Sequence, residues 1–266
     1  MNKTRITTLL RKLRLLQLSD HLNFYYQKLK NRKSNKFFKE KYPDVVLPPD
    51  YMIYESFQMN YDNYYNDSVS TAEWLINYFE KHIDLLNVKI LEWGCGPGRI
   101  IRHLPRLLND SCEIYGSDYN SKTIEWCKKN IQDVYFSKNN LQPPLEYGSN
   151  FFDVIYATSV FTHLSEEMHY AWFEELKRVC KKDGIIFLTT HGDNCKPKLT
   201  PDELKRFEEG KLVVRGNVKE GHRTFAAYQP PDFMRKLFSE VKILEHATRE
   251  PEGNYIPQDV WIVRKK

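Results

Sequence analysis

Residues 88–99 read VKILEWGCGPGR, an apolar run followed by glycines at the alternate positions 94, 96 and 98. The run predicts a buried β-strand, and the glycines let the following loop turn tightly and approach a ligand without a Cβ clash. The helix expected after the loop has an electropositive N-terminus. This stretch therefore predicts a ligand-binding loop at the end of a strand, and a plain tight turn is the alternative interpretation.

Two acidic residues sharpen the interpretation of the loop. Glu92 lies two residues before the first glycine, and Asp118 ends the next predicted strand. A carboxylate about 20 residues past the glycines can accept hydrogen bonds from both hydroxyls of a ribose. Arg99 stands where a dinucleotide fold carries its third glycine. A carboxylate close to the loop suits a cationic cofactor better than a pyrophosphate.

Short β-branched runs alternate with helical stretches through the rest of the chain. This alternation predicts an α/β fold, in which helices cover both faces of a parallel sheet. The last two strands have no helix between them, which predicts an antiparallel hairpin at the sheet edge. The predicted strands are 88–93, 113–118, 134–137, 152–158, 184–190, 241–247 and 258–264, and the predicted helices are about 99–108, 121–130 and a stretch ending near 180.

The first 69 residues have a different character. Residues 6–41 keep the spacing of an amphipathic helix, and we expect a break near Ser19 and Asp20, where Asp20 can cap a second segment. Residues 50–66 hold five tyrosines and predict an ordered aromatic cover, followed by a helix over about 70–82. The predicted domains are a helical arm and cover, 1–69, and a second domain, 70–266, with an insert at about 192–240.

The composition limits the class of protein. The chain has 266 residues, 41% hydrophobic and 28% charged, which suits one large domain, or one domain with an added flap, and excludes global disorder. Its apolar runs are too short for a membrane span. Five cysteines without a C-x-x-C pair argue against a disulfide scaffold or a zinc site. We therefore expect a cytoplasmic protein without a metal site.

The positive charge is concentrated at the N-terminus. Residues 1–41 hold 12 lysines and arginines against 2 acidic residues, whereas the whole chain has a net charge of +5. The remainder is therefore acidic, which argues against a nucleic-acid-binding protein with a basic surface throughout. The basic arm is interpreted either as a solvated helical face or as a contact for anionic lipid, a nucleotide-linked substrate or RNA.

With these features together, the sequence resembles the class I S-adenosylmethionine (SAM)-dependent methyltransferases over about residues 70–265. The resemblance implies a Rossmann-like sheet of seven mostly parallel strands in the order 3-2-1-4-5-7-6, with SAM as cofactor and no metal. One departure is the turn CKKDG (180–184), which lacks the family's usual proline and one glycine. The segments that carry the resemblance are ILEWGCGPGR (90–99), SDYN (117–120), SKNNLQPPL (137–145), FDVIYATSVFTHL (152–164) and ELKRVCKKDGIIFLTTHG (175–192).

The resemblance also implies a set of cofactor-binding residues. Arg99 is expected either to reach the methionine carboxylate of SAM or to face solvent, and Tyr54 either to close over the cofactor or to pack in the core. The expected cofactor-binding residues are Glu92, Gly94, Gly96, Gly98, Arg99, Asp118, Tyr119, Asn140, Ser159 and Tyr54.

Two histidines are candidates for a general base that removes a proton from a hydroxyl acceptor. His163 follows the fourth strand and His191 ends the fifth, and α/β sheets bind ligands at such carboxyl ends. The alternative for His163 is a histidine at a helix start that is satisfied by the backbone. Candidate substrate-binding residues are Tyr51, His222 and Arg223; a cluster of Arg223 with Arg215 and Lys219 is interpreted either as an anion site or as a solvated charge run.

A narrower resemblance concerns the acceptor. PPDYMIYESF (48–57), SVFTHLSEE (159–167), TTHG (189–192) and QDV (258–260) are together similar to methyltransferases of surface-polysaccharide biosynthesis. This similarity implies O-methylation of a small acceptor, a sugar or phosphoramidate precursor of a capsular polysaccharide, including nucleotide- or phosphate-linked forms.

Two other functions stay open. One is an RNA or protein methyltransferase that uses the basic arm, and the other is a non-catalytic SAM-binding partner subunit. Residues 158–161 read TSVF where amine-methylating enzymes carry an N-P-P-Y-like motif, which argues against N-methylation of nucleic acid. We therefore expect no stable nucleic-acid partner, and the sequence does not indicate the oligomeric state.

Overall fold

The computed structural model describes residues 15–251, 253 and 255–266. The basic residues before position 15, and with them the start of the helix expected over 6–41, lie outside the described residues. The described chain divides into two compact units, residues 17–139 and residues 140–266 with residues 15 and 16. The glycine loop lies in the first unit, and both candidate histidines lie in the second.

Helices packed around an aromatic core open the first unit. Phe38, Tyr54 and Tyr64 are buried members of this core. The side chain of Asn60 accepts a hydrogen bond from the backbone N–H of Asn63 (3.1 Å) and so caps the fourth helix. The helices are α1 (Leu16–Lys30), α2 (Arg32–Lys41), α3 (Asp50–Ser56) and α4 (Tyr61–Glu80).

The predicted break in the N-terminal helix is wrong. Helix α1 runs without interruption through Ser19 and Asp20, and the break comes at Asn31. Asp20 does not cap a helix, because its Oδ1 accepts a hydrogen bond from the hydroxyl of Tyr54 at 2.7 Å. Because the Asp20 side chain bonds to Tyr54 on α3, it does not compete for the backbone N–H groups of α1, and α1 continues past it.

Three parallel strands complete the first unit. β1 pairs with β2 from Lys89 opposite Glu113, and β2 pairs with β3. The helix predicted over 99–108 is shorter, because Pro105 has no N–H to continue the hydrogen-bond ladder from the preceding turn. The elements are β1 (Lys89–Trp93), a 3₁₀ turn (Ile101–His103), α5 (Leu104–Leu107), β2 (Glu113–Asp118), α6 (Ser121–Asn130) and β3 (Tyr135–Lys138).

The second unit contains the end of the sheet and the predicted insert. β4 and β5 are parallel, β9 pairs antiparallel with β5, and β8 pairs antiparallel with β9. The insert contains a separate antiparallel pair, β6 and β7, which the sequence did not predict. The elements are β4 (Phe152–Ala157), 3₁₀ turns (Phe161–His163 and Asp193–Lys198), α7 (Glu166–Val179), β5 (Cys180–Thr190), α8 (Pro201–Glu208), β6 (Val213–Arg215), β7 (Ala226–Tyr228), α9 (Pro231–Leu237), β8 (Lys242–Ala247) and β9 (Asp259–Arg264).

The main strands of the described chain form a seven-stranded sheet in the order β3-β2-β1-β4-β5-β9-β8. This order confirms the expected α/β class and the sequence 3-2-1-4-5-7-6, with the terminal hairpin antiparallel. Helix α4 runs across the expected domain boundary between residues 69 and 70, and the two-domain division stays a prediction. None of the helices in the described residues is long and apolar enough to cross a membrane.

Candidate functional site

The glycine loop after β1 has the backbone that its sequence predicts. Gly94, Gly96 and Gly98 have φ values of 77°, 50° and 72°, a region that residues with a Cβ rarely adopt. A Cβ at Gly98 would also lie 2.3 Å from the side chain of Ile131. The loop is held at the end of β2, where the Ser117 carbonyl accepts hydrogen bonds from two of its N–H groups.

Asp118 faces the same loop. Its two carboxylate oxygens accept hydrogen bonds from the backbone N–H groups of Gly96 (3.0 Å) and Asn120 (2.8 Å). Burial raises the pKa of the Asp118 carboxyl, and these two hydrogen bonds act in the opposite direction. Each carboxylate oxygen has more than one lone pair and can accept a further hydrogen bond from a ligand hydroxyl.

The aromatic cover, defined here as residues 42–69, packs directly on the glycine loop. Tyr64 on α4 is 0% exposed, and its hydroxyl donates a hydrogen bond to the carbonyl of Pro97 at 3.1 Å. Arg99 lies with its guanidinium 4.2 Å from the ring centroid of Phe57, which is a cation–π contact. The cover therefore supports the loop from within the same unit.

Two predicted site tyrosines in the cover contact helix α1. The hydroxyl of Tyr54 bonds to Asp20 and accepts a hydrogen bond from Asn23 at 2.9 Å. Tyr51 packs edge-on against Phe24, with ring centroids 5.3 Å apart. These contacts favour the core-packing alternative for both tyrosines.

In the second unit, His163 lies in the 3₁₀ turn that follows β4. Its Nδ1 is 2.7 Å from the carbonyl oxygen of Phe225. A carbonyl can only accept a hydrogen bond, so Nδ1 carries the proton and Nε2 of the neutral ring is a proton acceptor. Burial is the main cause that lowers the pKa of His163, and the ring is therefore neutral near pH 7.

His191 repeats this arrangement after β5. Its Nδ1 lies 3.0 Å from the carbonyl oxygen of Ala227, and its ring stacks on Tyr228. Burial lowers the pKa of His191 to about 4. Burial thus keeps both candidate bases neutral, and two carbonyls that lie two residues apart along one strand segment fix their tautomers.

Gln229 fixes the spacing of the two loops that carry these histidines. The side chain is 1% exposed. Its Nε2 donates to the Phe161 carbonyl at 2.9 Å and lies 3.1 Å from Nε2 of His169. Its Oε1 accepts from the backbone N–H of His191 at 3.0 Å. The segment 225–229 is therefore a positioning strand for His163 and His191.

Ser159 connects the ends of β4 and β5. It has a φ of 65°, a strained value for a residue with a Cβ, and such strain clusters at functional sites. Its N–H donates to Thr189 Oγ1 and its Oγ accepts from Gln258, both at 2.8 Å. Gln258 accepts in turn from Thr189 at 2.6 Å. The network links the TTHG and QDV segments singled out in the sequence.

The fold leaves no room for a side chain at Gly192, in the same TTHG segment. A Cβ at this position would lie 2.1 Å from a carboxylate oxygen of Asp259. Asp259 is buried and bonds to His246 at 2.8 Å and to Thr248 at 3.1 Å. The glycine after His191 therefore leaves room for a buried carboxylate at the start of β9.

A known protein family and several solved structures are similar to this chain. The family described as "Methyltransferase domain" matches residues 91–188. A SAM-dependent methyltransferase from Methanosarcina mazei is 21% identical, with a TM-score of 0.56 over 71% of this chain and 96% of that chain. A putative sarcosine dimethylglycine methyltransferase from Galdieria sulphuraria is 14% identical, with a TM-score of 0.55 over 88% of this chain and 98% of that one.

Residues 91–188 form a class I SAM-dependent methyltransferase domain. SAM is the methyl donor of this class, and the glycine loop with Asp118 has the backbone freedom and the hydroxyl-accepting carboxylate that such a donor requires. A curated relative, the Ubiquinone biosynthesis O-methyltransferase of Neisseria meningitidis, is 22% identical over 129 residues, 47% of this chain. The chain spans about half the length of that relative, 52%.

The predicted site residues form two groups, one around the glycine loop and one in the second unit. Around the glycine loop lie Glu92, Arg99, Asp118 and Tyr119; burial raises the pKa of Tyr119 to about 12. The exposed Asn140 follows β3. The roles assigned to all these residues stay predictions.

The candidate substrate residues of the second unit lie in the loop before β7. The Gly221 N–H donates to the carbonyl of His163 at 3.0 Å, and His222 Nδ1 lies 2.9 Å from the hydroxyl of Thr224. Arg215 is held in an ion pair with Glu203 at 2.6 Å. Because the Arg215 guanidinium is paired with a carboxylate of its own chain, it is a poor candidate for an anion site with Arg223.

Sequence reasoning missed the residues that position the others. Gln258 stood within the QDV segment, but nothing indicated that its side chain bridges two loops. Tyr64 was counted only as one tyrosine of the cover. Gln229 had no sequence signal, because its partners are mainly backbone groups of segments distant in the chain.

Proposed function

We propose that this protein transfers a methyl group from SAM to the hydroxyl oxygen of a small-molecule acceptor, with His163 as general base. The observation that carries the proposal is the hydrogen bond from His163 Nδ1 to the Phe225 carbonyl, which leaves Nε2 as a proton acceptor. The neisserial relative, an O-methyltransferase by name, supports transfer to oxygen.

The residues that would hold SAM are those around the glycine loop. Asp118 would accept hydrogen bonds from the ribose hydroxyls, and the positive φ values from Gly94 to Gly98 would let the loop backbone approach the cofactor. Arg99 is the cation proposed for the carboxylate of the methionine moiety. When bound, SAM supplies a methyl carbon on a positively charged sulfur, which leaves as a neutral thioether.

The protein's own contribution is to position the acceptor and to remove its proton. A sugar hydroxyl has a high pKa, so it attacks the methyl carbon readily only as its proton passes to a base. Nε2 of His163 takes that proton, and the Phe225 carbonyl stabilises the resulting imidazolium through Nδ1. Alignment of the reacting atoms can supply roughly 7–11 kcal/mol of the barrier reduction.

The depressed pKa of His163 determines the pH at which the base works. Burial favours the neutral ring, so the base form persists below the ordinary histidine value of 6.5. Turnover with a hydroxyl acceptor should therefore hold at pH 6.5 and fall only when the pH drops below the lowered pKa. His191 is the second candidate base, on the same geometric argument.

The proposed acceptor class is a sugar or phosphoramidate precursor of a surface polysaccharide. The support is the resemblance carried by the SVFTHLSEE, TTHG and QDV segments, which the Gln258 network joins in the folded chain. His222 and Arg223, in the loop before β7, are the proposed acceptor contacts. An anionic phosphoramidate oxygen would need no base, only cations to bind it.

The test measures formation of S-adenosylhomocysteine with a panel of nucleotide sugars and phosphoramidates. We expect His163→Ala to lower turnover of a hydroxyl acceptor by about 10²–10⁴ while the affinity for SAM stays unchanged. His82→Ala, in the other unit, is the matched control and should leave turnover unchanged. If His163→Ala and His191→Ala both keep near-normal turnover, the general-base mechanism is wrong. SAM binding without turnover on any acceptor would indicate a non-catalytic subunit.

A further inference from the structure

A row of exposed apolar side chains runs along helix α1. Leu18, Leu22 and Leu29 are 61%, 64% and 71% exposed, and Tyr25 and Tyr26 are 58% and 61% exposed. Their spacing of three and four residues places all five on one face of the helix. Single exposed leucines are ordinary on protein surfaces, but a continuous row of this length indicates an interaction surface.

The opposite face of α1 is anchored to the rest of its unit. Phe24 is buried in the aromatic core, and Asp20 and Asn23 bond to the hydroxyl of Tyr54. Lys28 pairs with Asp50 at 2.8 Å. These contacts fix the rotation of the helix, so the apolar row is presented outward by the fold.

The surface beside this row is basic. Lys30, Arg32 and Lys33 are exposed and form no ion pair within the described part of the chain. Residues 15–41 include two acidic side chains, Asp20 and Glu40. Asp20 bonds to Tyr54, and Glu40 lies 3.7 Å from Lys36. An apolar row with cations next to it is complementary to an anionic lipid surface.

We propose that α1 docks on the surface of an anionic lipid bilayer. The leucines enter the boundary between headgroups and acyl chains, and the tyrosines lie at headgroup level, where amphipathic rings are favoured. The basic residues lie near lipid phosphates. With 15 residues, α1 is too short to span the bilayer and lies along its surface. A second copy of this chain is a poorer partner, since pairing two such faces brings like charges together.

The test is co-sedimentation of the full chain with vesicles of phosphatidylcholine alone or mixed equally with phosphatidylglycerol. We expect binding to the anionic vesicles at low salt, weakened at high salt, and at least tenfold weaker binding to phosphatidylcholine alone. The double variant Leu22→Ser/Leu29→Ser should reduce binding at least tenfold. Neutralising Lys30, Arg32 and Lys33 to glutamine should reduce binding about fivefold per cation, which corresponds to about 1 kcal/mol each.

Matched variants elsewhere in the same unit control for general effects of polarity and charge. Leu86→Ser removes another exposed leucine, and Lys128→Gln/Lys129→Gln removes two exposed lysines from α6. Both should bind like the unaltered protein. Equal binding to both vesicle types, or no loss in the leucine variant, overturns the proposal. So does a dimer in sedimentation equilibrium that the leucine variant abolishes, or salt-dependent binding to RNA without binding to vesicles.

Discussion

Replacing Gln229 by leucine tests whether the segment 225–229 positions the two histidines. The substitution keeps the side chain close in size but removes its hydrogen-bonding groups. The His191 N–H and His169 Nε2 then lose the hydrogen bonds that Gln229 provides. The Phe161 carbonyl also loses the hydrogen bond that it accepts from Gln229. An unsatisfied buried polar group costs about 1–3 kcal/mol. We therefore expect the free energy of unfolding to fall by about 3–5 kcal/mol.

Urea denaturation followed by fluorescence measures this loss. Gln132→Leu, at an exposed position of the other unit, is the control and should change stability by less than about 0.5 kcal/mol. Where Gln229→Leu remains folded, turnover should fall because the loops carrying His163 and His191 lose their common support. A loss below about 1 kcal/mol together with unchanged turnover would refute the positioning role.

Three further predictions concern the cofactor, the cover and pH. Asp118→Ala should weaken SAM binding by about 1–3 kcal/mol in calorimetry through lost charge-assisted hydrogen bonds, and Asp133→Ala, at an exposed position, should not. Proteolysis within residues 42–66 should slow when SAM is present; equal cutting in both states would argue against closure of the cover. The free energy of unfolding should fall as pH decreases from about 6.5 to about 4, because buried His103 and His169 have pKa values lowered to about 4 and gain their protons mainly on unfolding. Urea titrations over this range check the trend, and its slope should be smaller in His169→Gln.

The elements with strong local signals were predicted closely. β2 at 113–118 and α6 at 121–130 have the predicted bounds, because the short stretch EIYGSD ends at Asp118 and the side chain of Asn120 caps the helix. The strand order followed from the resemblance, and the antiparallel end from the missing helix between the last two strands.

The elements that depend on tertiary contacts were predicted less well. Asp20 carried a capping signal, but its bond to Tyr54 lets the helix continue. The pair β6 and β7 is three residues per strand, too short for an alternating pattern to stand out. In the candidate site, residue types could be predicted from motifs. The carbonyls of Phe225 and Ala227, which set the tautomers of the histidines, could not, since a carbonyl has no sequence signal.

The bond from Tyr64 to the Pro97 carbonyl has a consequence for how such a protein can be shortened. A chain cut between residues 69 and 70 would begin inside α4 and would lack Tyr64 altogether. The glycine turn would then lose the hydrogen bond from the buried Tyr64 hydroxyl, and Arg99 would lose its contact with the ring of Phe57. The N-terminal segment thus supports the loop proposed to bind the methyl donor, and a trimmed chain would be expected to hold its cofactor poorly even with every family motif intact.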